Sequence, residues 1–321
     1  MEKSLFIAGF LSLLSAGVYF SKFYEQNDHD QFKIIKQYQE WQQKYNKRYP
    51  TQNEQIYRFS IYQQNIMKIE DFNSQNNSYK QKINKFGDLT DQEFLTIYLN
   101  LQMPARVKNI QKNEEPFLVQ EEVDWVQKGK VPAIKDQGDC GSCWAFSAVG
   151  ALEINTKIQF NEIVDLSEQD LVDCAGPYGN AGCDGGWMES ALDYIIDSGI
   201  AETKVYPYKG EDGICKSVER NFRRVIGYVD LDGCQDISNA LIQQSVSVGV
   251  DATNWRFYSS GVFSDCKKYL NHGVVLVGIN KNGVWKVRNS WGQDWGEQGY
   301  INLASGDTCG VCLTGSYAIL K

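Results

Sequence analysis

The sequence predicts an α+β protein, with a mainly helical leader ahead of a body whose first half is helical and whose second half is built from strands. Three observations carry this. Residues 30–75 contain no Gly and one Pro, Pro50, which divides two helical segments. From Cys143 to about Lys157, apolar residues recur at Trp144, Phe146, Val149, Leu152 and Ile154, close to helical spacing. After about residue 222 the texture changes to short Val/Ile runs punctuated by Gly and Asn. Of these, "VVLVGI", "VWKVRN", "YINL" and "SYAIL" read as antiparallel strands.

The elements follow in order. Lys3 and the apolar run Leu5–Phe20 suit a secretory signal, with small residues for cleavage at Ser15-Ala16-Gly17; an uncleaved signal anchor is the alternative. In the second helical segment Glu54, Arg58, Tyr62, Asn65, Ile69 and Asn73 fall on one stripe, which on spacing alone reads as a solvated face. "KINKFGD" reads as extended, and Thr90 with Glu93 forms a capping box that opens another helix. Residues 104–120 are polar, carry two prolines and read as an exposed linker. In the body, Ser167 caps a helix with Asp170 three residues on, and Trp187–Ser198 forms another that Gly199 stops. A cleft between the helical and β halves is the default place for a site.

Charge and cysteine content make the same division. Residues 1–118 carry 15 Lys/Arg against 13 Asp/Glu, and residues 119–321 carry 17 against 27. A basic leader would therefore attract an acidic body near neutral pH, and acid would weaken that attraction. No basic patch with interleaved aromatics is present, so nucleic acid is not an expected partner. All nine cysteines lie at or after Cys140, and in an exported chain an odd number leaves one thiol over.

"GDCGSCWAFS" (138–147) contains Cys140 and Cys143, and Cys309 and Cys312 form a second Cys-x-x-Cys pair. Zinc sites of this type want a short loop between the pairs, whereas 165 residues separate Cys143 from Cys309. A thioredoxin-like couple wants a strand before the motif, and the preceding "GKVPAIKDQG" is loop-like. A nucleophile explains more. Cys143 would sit at a helix N-terminus, where the dipole favours thiolate. The body has a single histidine, His272, so any Cys/His chemistry must use it. Asn289 could orient that imidazole, and Gln137 could join the Cys143 backbone N–H in holding an oxyanion.

Taken together, "QGDCGSCWAFS", "LNHGVVLVG" and "VRNSWGQDWGEQGY" resemble the Cys, His and Asn boxes of papain-like cysteine proteases of the cathepsin L subgroup. The leader is similar to their inhibitory propeptide. Its stripe matches the ERFNIN pattern with Tyr62 in place of Phe, and Asn84, Phe86 and Asp88 match a later motif in which Lys82 replaces Gly. The resemblance implies a two-lobed papain-like fold, a helical lobe beside an antiparallel β-barrel lobe. It implies a signal at 1–17, a propeptide at 18–118 and a catalytic domain at 119–321. Cys143, His272, Asn289 and Gln137 would be catalytic, with Trp291 shielding the His–Asn contact. Gly185, Gly186, Trp187, Met188, Gly249, Leu270, Asn271, Trp291 and Thr314 would meet substrate. None of the pocket residues is charged, so an apolar or aromatic residue is expected one position before the scissile residue.

The resemblance further implies disulfides Cys140–Cys183, Cys174–Cys215 and Cys266–Cys309. Cys234 and Cys312 are left to form a fourth bridge or to stay as structural thiols. The expected activity is that of an endopeptidase made as an acid-activated zymogen, without metal or cofactor. Expected partners are protein and peptide substrates, the chain's own propeptide and cystatin-like inhibitors. A monomer is expected, in a lysosome-like acidic compartment or outside the cell, with no membrane span once the signal is removed. The alternatives are a transpeptidase or ligase on the same site, or a non-catalytic binder.

Overall fold

The computed structural model describes residues 32–104 and 117–321, so the signal and most of the linker lie outside the described residues. The chain divides into two compact units between Met67 and Lys68, within one helix.

In the first unit, residues 32–44 (α1) and the start of α2 (Gln52–Ser74) are helical. Tyr38 stacks on Trp41, and both rings lie about 5 Å from Tyr62. Arg58 Nε bonds Glu54 Oε1 at 2.6 Å one turn away, and Tyr62 and Asn65 are buried, as is Ile69 where α2 enters the second unit. The stripe is therefore not the solvated face that spacing alone suggested. Its middle members Tyr62, Asn65 and Ile69 are buried, and Glu54, Arg58 and Asn73 at its two ends stay partly exposed.

In the second unit Asn73 bonds both the N–H and the carbonyl of Gln81, which ties the end of α2 to β1 (Tyr79–Gln81). Residues 82–88, expected as extended, hold no strand: 85–88 form a turn that buries Phe86 completely. Asn84 builds that turn, accepting from the Phe86 N–H at 3.1 Å while donating to the Arg256 carbonyl at 2.7 Å. Helix α3 (Asp91–Tyr98) opens on the reciprocal Thr90–Glu93 capping box.

The body begins with β2 (Val123–Asp124) and three helices, α4 (Cys143–Phe160), α5 (Glu168–Cys174) and α6 (Met188–Ser198). Helix α4 is buried from Cys143 to Thr156 because it is packed on both sides. One side meets α6 through a core of Trp144, Ala148, Leu171 and Leu192. The other meets the sheet through Ala151, Ile154, Val275 and Val277. Asn161 stops the helix in a left-handed conformation, φ 56°.

The second half holds β3 (Val225–Leu231), α7 (Cys234–Gln243), β4 (Val246–Val250), β5 (Tyr258–Phe263), β6 (His272–Ile279), β7 (Trp285–Arg288), β8 (Tyr300–Leu303) and β9 (Gly315–Leu320). The strands pair in the order β1-β5-β8-β7-β6-β4-β9-β3, with β2 on the far end of β6. One expectation needs correction: the sheet stays open, so there is no closed barrel. The strands pair antiparallel as expected, apart from a short parallel pair between β5 and β8. The leader's β1 occupies one edge, opposite β5. Helix α7 escaped the sequence reading because it is short and only Ile237, Ser238 and Leu241 are buried.

Four disulfides lock the body: Cys140–Cys183, Cys174–Cys215, Cys234–Cys312 and Cys266–Cys309. Cys143 is the free cysteine. Among the described residues no helix is long and apolar enough to cross a membrane, and no group of His, Cys, Asp or Glu is arranged to hold a metal ion.

Candidate active site

Helix α4 begins at Cys143, and the strand packed across it, β6, begins at His272. That crossing brings the two together. Ser142, just before the helix, makes no side-chain cap; its hydroxyl pairs with Tyr208 Oη at 2.7 Å. The first amides of α4 therefore keep their positive end for the thiol. The Cys143 thiol is fully buried against the backbone amides of Trp144, Gly273 and Asn100. Burial outweighs those amides and pushes its pKa up to about 11.

His272 Nε2 lies 2.8 Å from Asn289 Oδ1, and both side chains are buried. The same amide oxygen accepts the Ser290 N–H at 2.8 Å, which fixes the amide's orientation. The Trp291 ring lies over the imidazole with centroids 4.7 Å apart. Burial pulls the His272 pKa down to about 4, against the opposing contacts of Asn289 and the Tyr98 carbonyl. Gln137 is also fully buried. Its Nε2 donates to the Cys140 carbonyl at 2.9 Å, and its Oε1 accepts from Ser290 Oγ at 2.7 Å. An amide nitrogen has two N–H groups, so one remains for a reacting oxygen.

The segment following α3 runs across this group. Leu101 N–H donates to the Asn271 carbonyl and Gln102 N–H to the Gly186 carbonyl, each at 3.0 Å. Leu101 pairs with Gly186 in a parallel bridge. Gly185, at φ 115°, is a position where glycine is required: a Cβ there would lie 1.9 Å from the Asn100 carbonyl oxygen. A Cβ on Gly249 would lie 3.1 Å from Leu101 Cδ2, 3.3 Å from Leu270 Cδ1 and 3.5 Å from Thr314 Cγ2. Those four residues therefore meet at one point, with Leu101 as the occupant. Met188 Sδ is 3.3 Å from the equivalent point on Gly273, whereas Trp187 is buried in the helical core behind the cleft.

Several contributors were not legible beforehand. Phe86 and Phe94 set their edges against Trp291 at 5.5 and 5.3 Å, and Tyr98 hydroxyl bonds Asp139. Lys85 binds Asp136, the residue before Gln137, and Ser290 and Tyr208 brace Gln137 itself. A place within or beside the matched motifs was the only sequence signal for Lys85, Asp139 and Ser290; Tyr208 and Leu101 had none. Lys82, where the leader motif has Gly, is exposed and is not among the residues of positive φ, so glycine is not required there.

The site and fold define a thiol enzyme with its own leader laid through the cleft. Comparison agrees. Residues 119–319 match the papain family cysteine proteases and residues 38–94 match the cathepsin propeptide inhibitor domain. Cathepsin L 2 of Paramecium tetraurelia is 49% identical over 97% of this chain and 100% of its own. Cathepsin S of Bos taurus is 38% identical, with 86% of this chain and 90% of its own covered. Among solved structures, a recombinant stem bromelain precursor superposes with a TM-score of 0.79 at 35% identity, covering 90% of this chain and 99% of that one. Digestive procathepsin L 3 of Tenebrio molitor larval midgut gives 0.78 at 36%, covering 89% and 99%. The chain belongs to the papain family of cysteine proteases, as a cathepsin L-like precursor carrying its propeptide inhibitor domain.

Proposed function

We propose that Cys143, His272, Asn289 and Gln137 form the catalytic group of an endopeptidase made as an acid-activated zymogen. The Cys143 sulfur attacks the scissile carbonyl and an S–C bond forms. The oxyanion is held by the free N–H of Gln137 and the Cys143 N–H. His272 gives its proton to the leaving nitrogen as the C–N bond breaks, then takes one from the water that cleaves the thioester. Asn289 holds the imidazole with its other nitrogen toward the thiol, and Trp291 keeps water from that contact.

The carrying observation is that Leu101 already sits backbone-bonded between Gly186 and Asn271, its side chain among Gly249, Leu270 and Thr314. An apolar side chain of substrate, one position before the scissile residue, would replace it there. Under the leader both reacting groups are held neutral by burial. Its departure would hydrate them and let a thiolate–imidazolium pair form.

On this reading residues 1–17 are a signal, 18–118 the inhibitory leader and 119–321 the mature monomeric enzyme, open to cystatin-like inhibitors. It would work in an acidic compartment of the secretory pathway or outside the cell. The test is to acidify the purified precursor beside a Cys143→Ala control, following chain length and cleavage of a peptide with Leu or Phe at that position. Wild type should trim itself and gain activity while the control does neither. A wild-type body that cleaves nothing after removal of the leader by another protease would end the proposal.

A further inference from the structure

The Cys234–Cys312 bridge plays no part in the chemistry above, yet its place in the fold is close to the pocket. Cys309 and Cys312 are the two ends of a four-residue turn. Cys309 is tied to Cys266, beyond the end of β5, and Cys312 to Cys234, the first residue of α7. Backbone bonds repeat both ties: Asp251 N–H donates to the Cys309 carbonyl at 2.8 Å and Gly233 N–H to the Cys312 carbonyl at 3.0 Å. The Cys312 N–H in turn donates to Asp307 Oδ1 at 2.9 Å, and Asp307 pairs with Lys268 at 3.0 Å.

The turn is tight, with φ 58° at Cys309 and 74° at Gly310. Its inner face rests on the pocket. A Cβ on Gly310 would lie 2.8 Å from Leu270 Cδ2 and 3.1 Å from Leu313 Cδ1. The other methyl of Leu270 is the one that faces Leu101 beside Gly249, and Thr314, two residues past Cys312, supplies the adjoining wall. The turn is thus the backing of Leu270, and what holds the turn holds the wall.

We infer that the Cys234–Cys312 bridge is a specificity device. By pinning the turn 309–312 to α7 it holds Leu270 and Thr314 at the spacing that fits a branched aliphatic side chain. The cysteines are positioning residues, and the inference rests on the pocket reading under the proposed function. A bridge that only constrained the unfolded chain would raise stability and leave selectivity alone.

The experiment compares wild type, the double variant Cys234→Ser/Cys312→Ser and Gly310→Ala, each activated from its full precursor. The probes are matched peptides with Val, Leu or Phe one position before the scissile residue. Losing the bridge should raise KM for the Leu peptide about fivefold with kcat within about twofold, and move the Leu/Phe ratio of kcat/KM toward Phe at least about threefold. Gly310→Ala, which presses on Leu270 with the bridge intact, should move the Leu/Phe ratio the other way and favour Val. An unchanged ratio in an active double variant overturns the inference, whatever happens to thermal stability. Should the double variant not fold, an unchanged ratio in Gly310→Ala overturns it. If wild type cleaves none of the peptides, the pocket reading fails first and the inference falls with it.

Discussion

Lys85 Nζ lies 2.5 and 2.7 Å from the two carboxylate oxygens of Asp136, the residue immediately before Gln137. A leader cation is thus bound next to the residue proposed to hold the oxyanion. Asp136 also accepts the Gly138 N–H at 3.0 Å, so the same carboxylate shapes the loop. Asp136 is half-exposed, which keeps the pair weak, about 1 kcal/mol. Lys85→Ala should speed self-processing of the precursor about three- to fivefold at fixed, mildly acidic pH, with the gap closing in high salt. Equal rates at low salt would refute the contact's role.

Leu101 is the leader's apolar anchor and is nearly fully buried. Truncation to Ala leaves part of the pocket empty at a cost of about 2 kcal/mol, roughly thirtyfold in the leader's hold. The Leu101→Ala precursor should begin processing at higher pH than wild type when chain length is followed across a pH series. An unshifted onset would mean the backbone bonds alone retain the segment.

Among the described residues, Asn289 is the partner bonded to His272 Nε2. Asn289→Ala leaves a buried imidazole nitrogen unpaired, at about 1–3 kcal/mol, so kcat should fall about 10- to 100-fold with KM little changed. Steady-state kinetics on the activated enzyme decides this. A KM effect alone would make Asn289 a residue of substrate binding and not of imidazole positioning.

Burial lowers the His272 pKa from 6.5 to about 4 in the leader-covered state. A depressed folded pKa means the unfolded chain binds the proton more readily. The stability concerned is therefore whole above pH 6.5 and is lost as pH falls to about 4. Because Glu168 acts the other way over the same window, the test is a difference. The Cys143→Ala precursor, which cannot process itself, should lose Tm as pH falls through that window relative to a Cys143→Ala/His272→Gln precursor. Identical profiles for the two would exclude His272 as a contributor to acid opening.

The body carries the opposite dependence. Lys135 Nζ lies 2.8 Å from Glu153 Oε1 and 2.9 Å from Glu168 Oε1, with both carboxylates buried. Burial, with Glu153 beside it and against the pull of Lys135, raises Glu168 from 4.5 to about 7. A raised folded pKa gives stability that is complete below 4.5 and lost as pH rises through 7. The activated wild type should melt a few degrees lower at pH 7.5 than at pH 5, and Glu168→Gln should flatten that difference. Melting curves that stay parallel at both pH values would contradict it.

Residue types and their spacing were enough to mark the helices at Cys143, Ser167 and Trp187, the capping box at Thr90 and the later strands. These depend on local periodicity and capping, which neighbours in sequence determine. They also made Cys143, His272, Asn289 and Gln137 candidates, since the body holds one histidine and an odd number of cysteines, and the family resemblance then assigned Cys143 as the free thiol. What the chain order does not contain is who meets whom between segments distant in sequence. Spacing alone placed the Glu54–Asn73 stripe in solvent, and the family resemblance implied a β-barrel, whereas burial and pairing decided otherwise. The meetings of Leu101 with Gly249, of Lys85 with Asp136 and of the 309–312 turn with Leu270 were likewise decided by tertiary structure. Each is a packing contact between segments whose local preferences say nothing about one another.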